Sequence, residues 1–243
     1  MFKDFKLFSL ILSVLIIFSV CGCSPVDNDY GVSSETESSQ SEFQSVEETK
    51  IMSSDRVMSQ YFDISLFDEE NYSDIYLGKK FKIDAVINNI TFNVPTKIND
   101  FKELGWFLCE GNTYDENSLV FAYETVDLYF KNEKGAKIFA QVYNSSRSSK
   151  QLSECYIVKF KIDNNFYTDP NNYIEFNVNG IDNTMAITDI VNILGAPSHF
   201  YEVSDTSYYL DYFITKKDRR NGITVYINPV DDLITAIEFS YYK

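Results

Sequence analysis

The sequence predicts an α+β fold: antiparallel β-sheets with short helices packed on one face, organised as two related modules. Three observations carry this. From residue 56 onward β-branched and aromatic residues dominate, with Phe 20 and Tyr 18 in 243 residues, an excess that favours strands and large buried rings. Several stretches alternate apolar and polar residues with the period of two that marks a half-buried strand. The helical patterns are few and short, and each is closed by a glycine.

The elements follow in chain order. Residues 81–87 and 90–94 alternate around Asn88-Asn89, which predicts a hairpin with a tight two-residue turn. Asn99 is placed to cap a helix over 100–104, with Gly105 as its stop. Residues 137–143 and 156–162 read as strands; in the second, Tyr156, Val158, Phe160 and Ile162 share one face while Lys159 and Lys161 share the other. A second helix runs over 187–194 and ends at Gly195, with Pro197 beyond it. Its Ile187, Ile190, Val191 and Leu194 fall on one side, the side expected to cover a sheet. Three strands follow, at 208–215, 222–228 and 233–241, joined by polar connectors at 216–221 and 229–232. That spacing predicts an antiparallel meander.

The two helix regions echo each other. Ile98-Asn-Asp-Phe-Lys-Glu-Leu-Gly and Ile187-Thr-Asp-Ile-Val-Asn-Ile-Leu-Gly share Ile-polar-Asp-apolar and then Leu-Gly, with one gap between them. Two diverged copies of a helix-plus-strands unit, at 58–168 and 169–243, account for the echo. Two independently capped short helices are the alternative.

The N-terminus reads differently. Lys3 and Lys6 precede an uncharged apolar run over 7–20, the length of a signal-peptide core and short of the roughly 20 residues of a membrane-spanning helix. The run ends in Val20-Cys21-Gly22-Cys23, which resembles the bacterial lipobox, with Val20 in place of the family's preferred leucine. The resemblance implies a lipoprotein signal peptide at 1–22 and acyl chains, palmitate among them, on Cys23. Such chains contribute about 0.8 kcal/mol per buried CH₂, so the expected location is the extracytoplasmic face of the cell membrane. Residues 23–57 are Ser/Glu-rich, and between 24 and 55 eight acidic residues stand against Lys50 alone. This composition does not offset the entropy of ordering, and a coil of that length spans roughly 30 Å.

Charge and composition exclude several functions. The net charge is −15, the wrong sign for a nucleic-acid partner. His199 is the single histidine, which removes sites built on two histidine ligands and leaves one candidate base for nucleophilic catalysis. No metal or cofactor is expected. Residues 163–169 carry oxygen ligands but lack the glycine and glutamate of an EF-hand loop. Cys109 and Cys155 are the even pair left beside Cys21 and Cys23; in an oxidising compartment they are expected to form a disulfide contributing about 4 kcal/mol, with two buried free thiols as the alternative. Lys216, Lys217, Arg219 and Arg220 cluster at a hairpin tip, and Tyr208, Tyr209, Tyr212, Tyr241 and Tyr242 are divided between core and an aromatic binding face.

The stretch Asp189-Ile-Val-Asn-Ile-Leu-Gly-Ala-Pro, with the strands after it, resembles the β-lactamase-inhibitor-protein-like domain, also found in small envelope lipoproteins of the SmpA/OmlA type. It matches an acidic residue, Val or Ile, and a closing Leu-Gly-x-Pro; upstream, Thr184-Met185-Ala186 departs from the family's Gly-x-Ser/Thr. The resemblance implies a helix packed on one sheet face, the other face available for protein contacts, and binding rather than catalysis. The expectation is therefore a non-enzymatic, membrane-anchored lipoprotein with an envelope protein as partner. A glycan- or small-ligand-binding lipoprotein is the first alternative, and a cell-wall hydrolase using paired carboxylates is the second.

Overall fold

A computed structural model describes residues 58–68, 70–164, 172–204 and 207–242. The signal peptide, Cys23, the linker, the 168/169 boundary and most of the 163–169 loop lie outside the described residues.

The chain runs through β1 (Asp84–Ile87), β2 (Ile90–Asn93), β3 (Thr96–Lys97), α1 (Ile98–Glu103), β4 (Phe107–Leu108), β5 (Leu119–Val120), β6 (Thr125–Lys131), β7 (Lys137–Tyr143), β8 (Lys150–Gln151) and β9 (Tyr156–Asp163). It continues through β10 (Phe176–Val178), β11 (Ile181–Asp182), α2 (Ile187–Leu194), β12 (His199–Ser204), β13 (Ser207–Thr215), β14 (Asp218–Asn228) and β15 (Leu233–Ser240). The pairings between these strands are antiparallel, and the helices are short. The fold is thus more β-rich than the α+β expectation.

Asn88 and Asn89 both adopt positive φ, 49° and 64°, which the expected hairpin turn requires. Asn179 and Gly180, at 52° and 91°, make the same turn between β10 and β11. These hairpins lie side by side in a four-stranded sheet ordered β11-β10-β1-β2, and each turn asparagine clamps the other hairpin. Asn88 donates its N–H to Glu175 O at 2.8 Å and accepts from Glu175 N at 3.1 Å. Asn179 donates to Asp84 O at 2.9 Å and accepts from Asp84 N at 3.3 Å.

The larger sheet has nine strands, ordered β12-β13-β14-β15-β9-β7-β6-β4 with β3 paired to β9. It takes strands from both sides of the 168/169 boundary, and β9 and β15 join the two sets at its centre. Alternation buries one face of this sheet. Tyr212, Ile223, Phe239, Phe160, Ala140 and Leu128 form one row across six strands, each almost wholly buried. On that row pack Phe92 of β2 and Phe101 of α1: Phe92 lies 5.0 Å from Phe160, and Phe101 lies 5.3 Å from Phe130 and 5.1 Å from Phe160. The four-stranded sheet and the helices therefore close this face as a second layer.

Helix α2 covers 187–194 as expected, with Ile187 and Ile190 buried, Val191 and Leu194 only partly so. Asp189 accepts the Ala186 N–H at 3.1 Å, which satisfies one free donor at the helix start. Helix α1 differs from expectation: its cap is Lys97, and Asn99 lies inside it. Burial of Ile98 and Phe101 sets its start, so core packing overrides the local capping preference.

The expected disulfide is not formed: Cys109 and Cys155 are both free thiols. Cys109 follows β4 and Cys155 precedes β9, so β6 and β7 stand between their strands. Three strand spacings amount to about 14 Å, twice the roughly 7 Å that a disulfide can bridge. Burial pushes both thiols up from their usual pKa, which keeps them protonated and weakly nucleophilic.

Tyr212 ends the buried row with its hydroxyl lacking any hydrogen-bond partner among the described residues. Desolvation raises its pKa strongly, so the phenol stays neutral. Removing an unpaired buried hydroxyl should stabilise the fold. Tyr212→Phe is expected to gain about 1 kcal/mol and raise Tm by roughly 2–4 °C in a thermal melt; an unchanged or lower Tm would contradict this.

Candidate functional site

Most of the second face of the nine-stranded sheet has no layer packed on it among the described residues; at its β12–β13 end Tyr72 lies over it, and His199 and Asp211 are buried there. Strand register places its side chains in three rows. The first is Tyr201, Tyr209 and Tyr226 on adjacent strands. The second crosses seven strands: His199, Asp211, Thr224, Glu238, Lys161, Phe139 and Tyr129. The third is Phe213, Gly222, Ser240, Lys159, Gln141 and Asp127. Six strand spacings give the middle row a length of about 29 Å.

The rings on this face touch in series. Tyr201 and Tyr209 centroids are 5.3 Å apart, Tyr209 and Tyr226 are 5.8 Å apart, and Lys161 Nζ lies 4.4 Å over the Tyr226 ring. On the other half Tyr129 meets Phe139 edge-on at 5.5 Å. Burial, with the Asp211 charge nearby, raises the Tyr209 pKa; burial and Glu238 raise that of Tyr226. Both phenols are thus held as neutral donors. Lys159 pairs with Glu238 at 2.6 Å, and Tyr242 OH donates to Gln141 Oε1. A groove of about 400 Å³ lies between this network and the start of β14, lined by Gln141, Lys159, Arg219, Arg220, Thr224 and Tyr242 among others. Gly222 is required there: a Cβ at this position would sit 2.1 Å from Tyr212 O.

His199 is the residue that sequence reasoning left without a partner. The sheet supplies one: His199 Nδ1 lies 2.8 Å from Asp211 Oδ2, and Thr224 Oγ1 donates to Asp211 Oδ1 at 2.5 Å. The pair resembles a catalytic orienting dyad, but its setting is structural. His199 is 6% exposed, and the Tyr72 ring stacks on it at 4.1 Å. Arg219 caps Tyr72 from above at 3.8 Å. The stack pins residues 71–73 along the sheet's edge strand, where Ser73 N bonds Ser198 O and Phe200 N bonds Asn71 O. The edge is covered in this way at 198–200. His199 also sits at one end of the sheet order, with Cys109 beside the opposite end and Cys155 beside the middle strand β9. No Cys–His arrangement is assembled.

Of the five tyrosines singled out from sequence, Tyr208 and Tyr212 are core, Tyr209 and Tyr242 face the open side, and Tyr241 is partly buried against the core. Tyr129, Tyr201 and Tyr226 belong to the face and were not singled out; strand register, invisible in one strand alone, brings them there. At the β13–β14 turn the connector is only Lys216-Lys217, and Arg219 and Arg220 lie within β14.

One further feature lies between β5 and β6. Leu119, Phe121 and Tyr123 point to solvent, Phe121 with 66% exposure, on a loop held from beneath by buried Asn144. Asn144 Nδ2 donates to Val120 O, Phe121 O and Ser148 O at 3.0, 3.0 and 2.8 Å. Tyr123 takes a φ of 60°, a conformation unfavourable for a bulky side chain that persists only where the surroundings impose it.

These features define a class: a two-layer antiparallel β protein with one covered and one open, tyrosine-bearing sheet face. In comparisons with known proteins, no family model, curated protein or solved structure matches the chain.

Proposed function

We propose that this is a lipid-anchored extracytoplasmic binding protein, non-enzymatic, whose open sheet face holds an envelope protein partner. The observation that carries the reading is the asymmetry of the nine-stranded sheet: one face is sealed by helices and hairpins, while the other presents three polar and aromatic rows. Tyrosine, lysine and glutamine spread between Tyr201 on β12 and Tyr129 on β6, six strand spacings or about 29 Å, suit a protein interface, where tyrosine supplies contact area at low entropic cost. The aromatic side chains lie in a row rather than around a pocket, and the groove beside them is lined mainly by charged and polar chains. This favours a protein partner over a sugar. The lipobox at Val20–Cys23 supports the anchor, and the Ser/Glu-rich stretch supports a tether.

The reading includes a duplicated architecture. Hairpin, helix and four strands occur twice in order: β1–β2, α1, β4, β6, β7, β9, then β10–β11, α2, β12, β13, β14, β15. In the large sheet the two sets run outward from a central β9–β15 pair, where Phe160 faces Phe239. The reciprocal Asn88 and Asn179 clamps obey the same two-fold relation. This arrangement supports two related modules and agrees with the resemblance to the β-lactamase-inhibitor-protein-like domain.

Crosslinking of intact cells followed by mass spectrometry of the recovered protein tests the reading. The mature N-terminal peptide should begin at a diacylglycerol-modified Cys23, and a partner protein should be joined to residues of the open face. A mature chain starting elsewhere without lipid removes the anchor; crosslinks confined to the covering layer remove the interface.

A further inference from the structure

The sequence carries basic clusters at 79–82 and at 216–220, and the fold attaches the first to the strand that leads into the second. Leu77 N donates to Phe213 O at 2.9 Å and Gly78 N to Ile214 O at 3.0 Å, which ties the residue before Lys79-Lys80-Phe81-Lys82 to β13 two residues ahead of the Lys216-Lys217 turn. Lys79, Lys80, Lys82 and Lys217 are exposed. None of the four is in an ion pair among the described residues, whereas Lys216 is held by Asp74 at 2.6 Å and Arg220 by Asp218 at 3.0 Å. Asp84, at the start of β1, is the acidic residue nearest to Lys82 in the chain. In a chain of net charge −15, four unneutralised cations gathered by tertiary pairing form a local field opposite to that of the whole molecule. Lys79, Lys80 and Lys82 rim a groove of about 700 Å³ whose walls include Phe81, Val94, Pro95 and Tyr241. The segment leads into β1 of the covering layer, so it belongs to the layer opposite the tyrosine rows.

We infer that Lys79, Lys80, Lys82 and Lys217 seat the folded unit on an anionic lipid bilayer, with the tyrosine face turned away from the membrane. Charge complementarity selects the occupant. At physiological ionic strength the screening length is about 8 Å, so a bilayer at contact feels the lysine face and not the remote acidic surface. On the anchored reading, attachment at Cys23 raises the local concentration of headgroups and makes even weak contacts count. This orientation rests on the anchored reading: the anchor brings the folded unit to the bilayer, and the lysine face supplies the contact that sets its orientation.

The test uses residues 23–243 with Cys23→Ser, so that no acyl chain contributes and failure of the anchor cannot be confused with failure of the patch. Flotation is measured with vesicles of phosphatidylglycerol and phosphatidylcholine, and with phosphatidylcholine alone, in low and high salt. The expected result is flotation with the anionic vesicles only, lost at high salt, and reduced at least tenfold by Lys79→Glu/Lys80→Glu/Lys82→Glu with an unchanged thermal melt. Lys217→Glu alone should give a smaller loss and serves if the triple variant misfolds. Equal flotation of the variants, or none by the parent chain, would overturn the inference. So would displacement by millimolar inorganic phosphate, which would assign the lysines to a free phosphate ligand.

Discussion

Asn144→Leu is expected to destabilise the folded unit by about 4 kcal/mol and lower Tm by about 10 °C. Asn144 is 1% exposed, and its amide has two protons for three carbonyl acceptors, Val120 O, Phe121 O and Ser148 O. Its Oδ1 accepts from Ser146 N at 3.0 Å and from Ser146 Oγ at 2.7 Å. Leucine has nearly the same shape and none of these bonds, so several backbone groups would be left buried without partners. The backbone of Asn144 also bonds Glu124 O and Tyr123 N at 3.0 and 2.9 Å, and the Glu124 carboxylate accepts Phe121 N at 2.7 Å. Loss of the side chain should therefore loosen 119–124 first, and limited proteolysis should cut there before the rest of the fold opens. Ser146→Ala, which removes one hydroxyl, should cost far less. A Tm shift under about 3 °C for Asn144→Leu would contradict this reading of the loop.

Local chemistry made some of the fold legible. Asn88-Asn89 announced its hairpin because asparagine is among the few residues that accept positive φ, and Gly195 with Pro197 announced the end of α2 because neither continues a helix. The strands at 137–143 and 158–162 were legible because one side of each is buried and the other is not; at the start of β9 a register shift opposite Gln141 and Val142 buries Ile157 in place of the expected Tyr156. What depends on pairing between distant segments was not legible. Helix α1 begins at Ile98 because Ile98 and Phe101 find the core, and no local rule at Asn99 anticipates that. The Cys109–Cys155 bond followed from parity and compartment, but parity carries no information about the strands interposed. The His199–Asp211–Thr224 contacts join residues up to 25 positions apart through the register of three strands. The same holds for the lysine face, whose parts are linked through the pairing of Leu77 and Gly78 with Phe213 and Ile214.

The open face was anticipated as a face, but its content was not. From sequence the candidates were tyrosines near the C-terminus; in the fold Tyr129 and Tyr201, from opposite halves of the chain, mark the two ends of one surface. Both are about half exposed, at 52% and 47%. Their removal should cost the fold little, because exposed side chains contribute little to stability. A partner spanning the face would lose much more, since truncating a tyrosine anchor at an interface costs about 2 kcal/mol, a factor of roughly 30 in affinity. Loss at both ends would mean that a single partner uses the whole surface and hence both halves of the chain.

The most direct measurement is capture of the crosslinked partner by the parent protein, by Tyr129→Ala and by Tyr201→Ala, with thermal melts of the same samples. A binding face predicts that each variant captures at least tenfold less partner while its Tm stays within about 2 °C of the parent. Unchanged capture by both variants would contradict it, as would turnover of peptidoglycan or peptide by the purified protein that is lost on replacing one carboxylate.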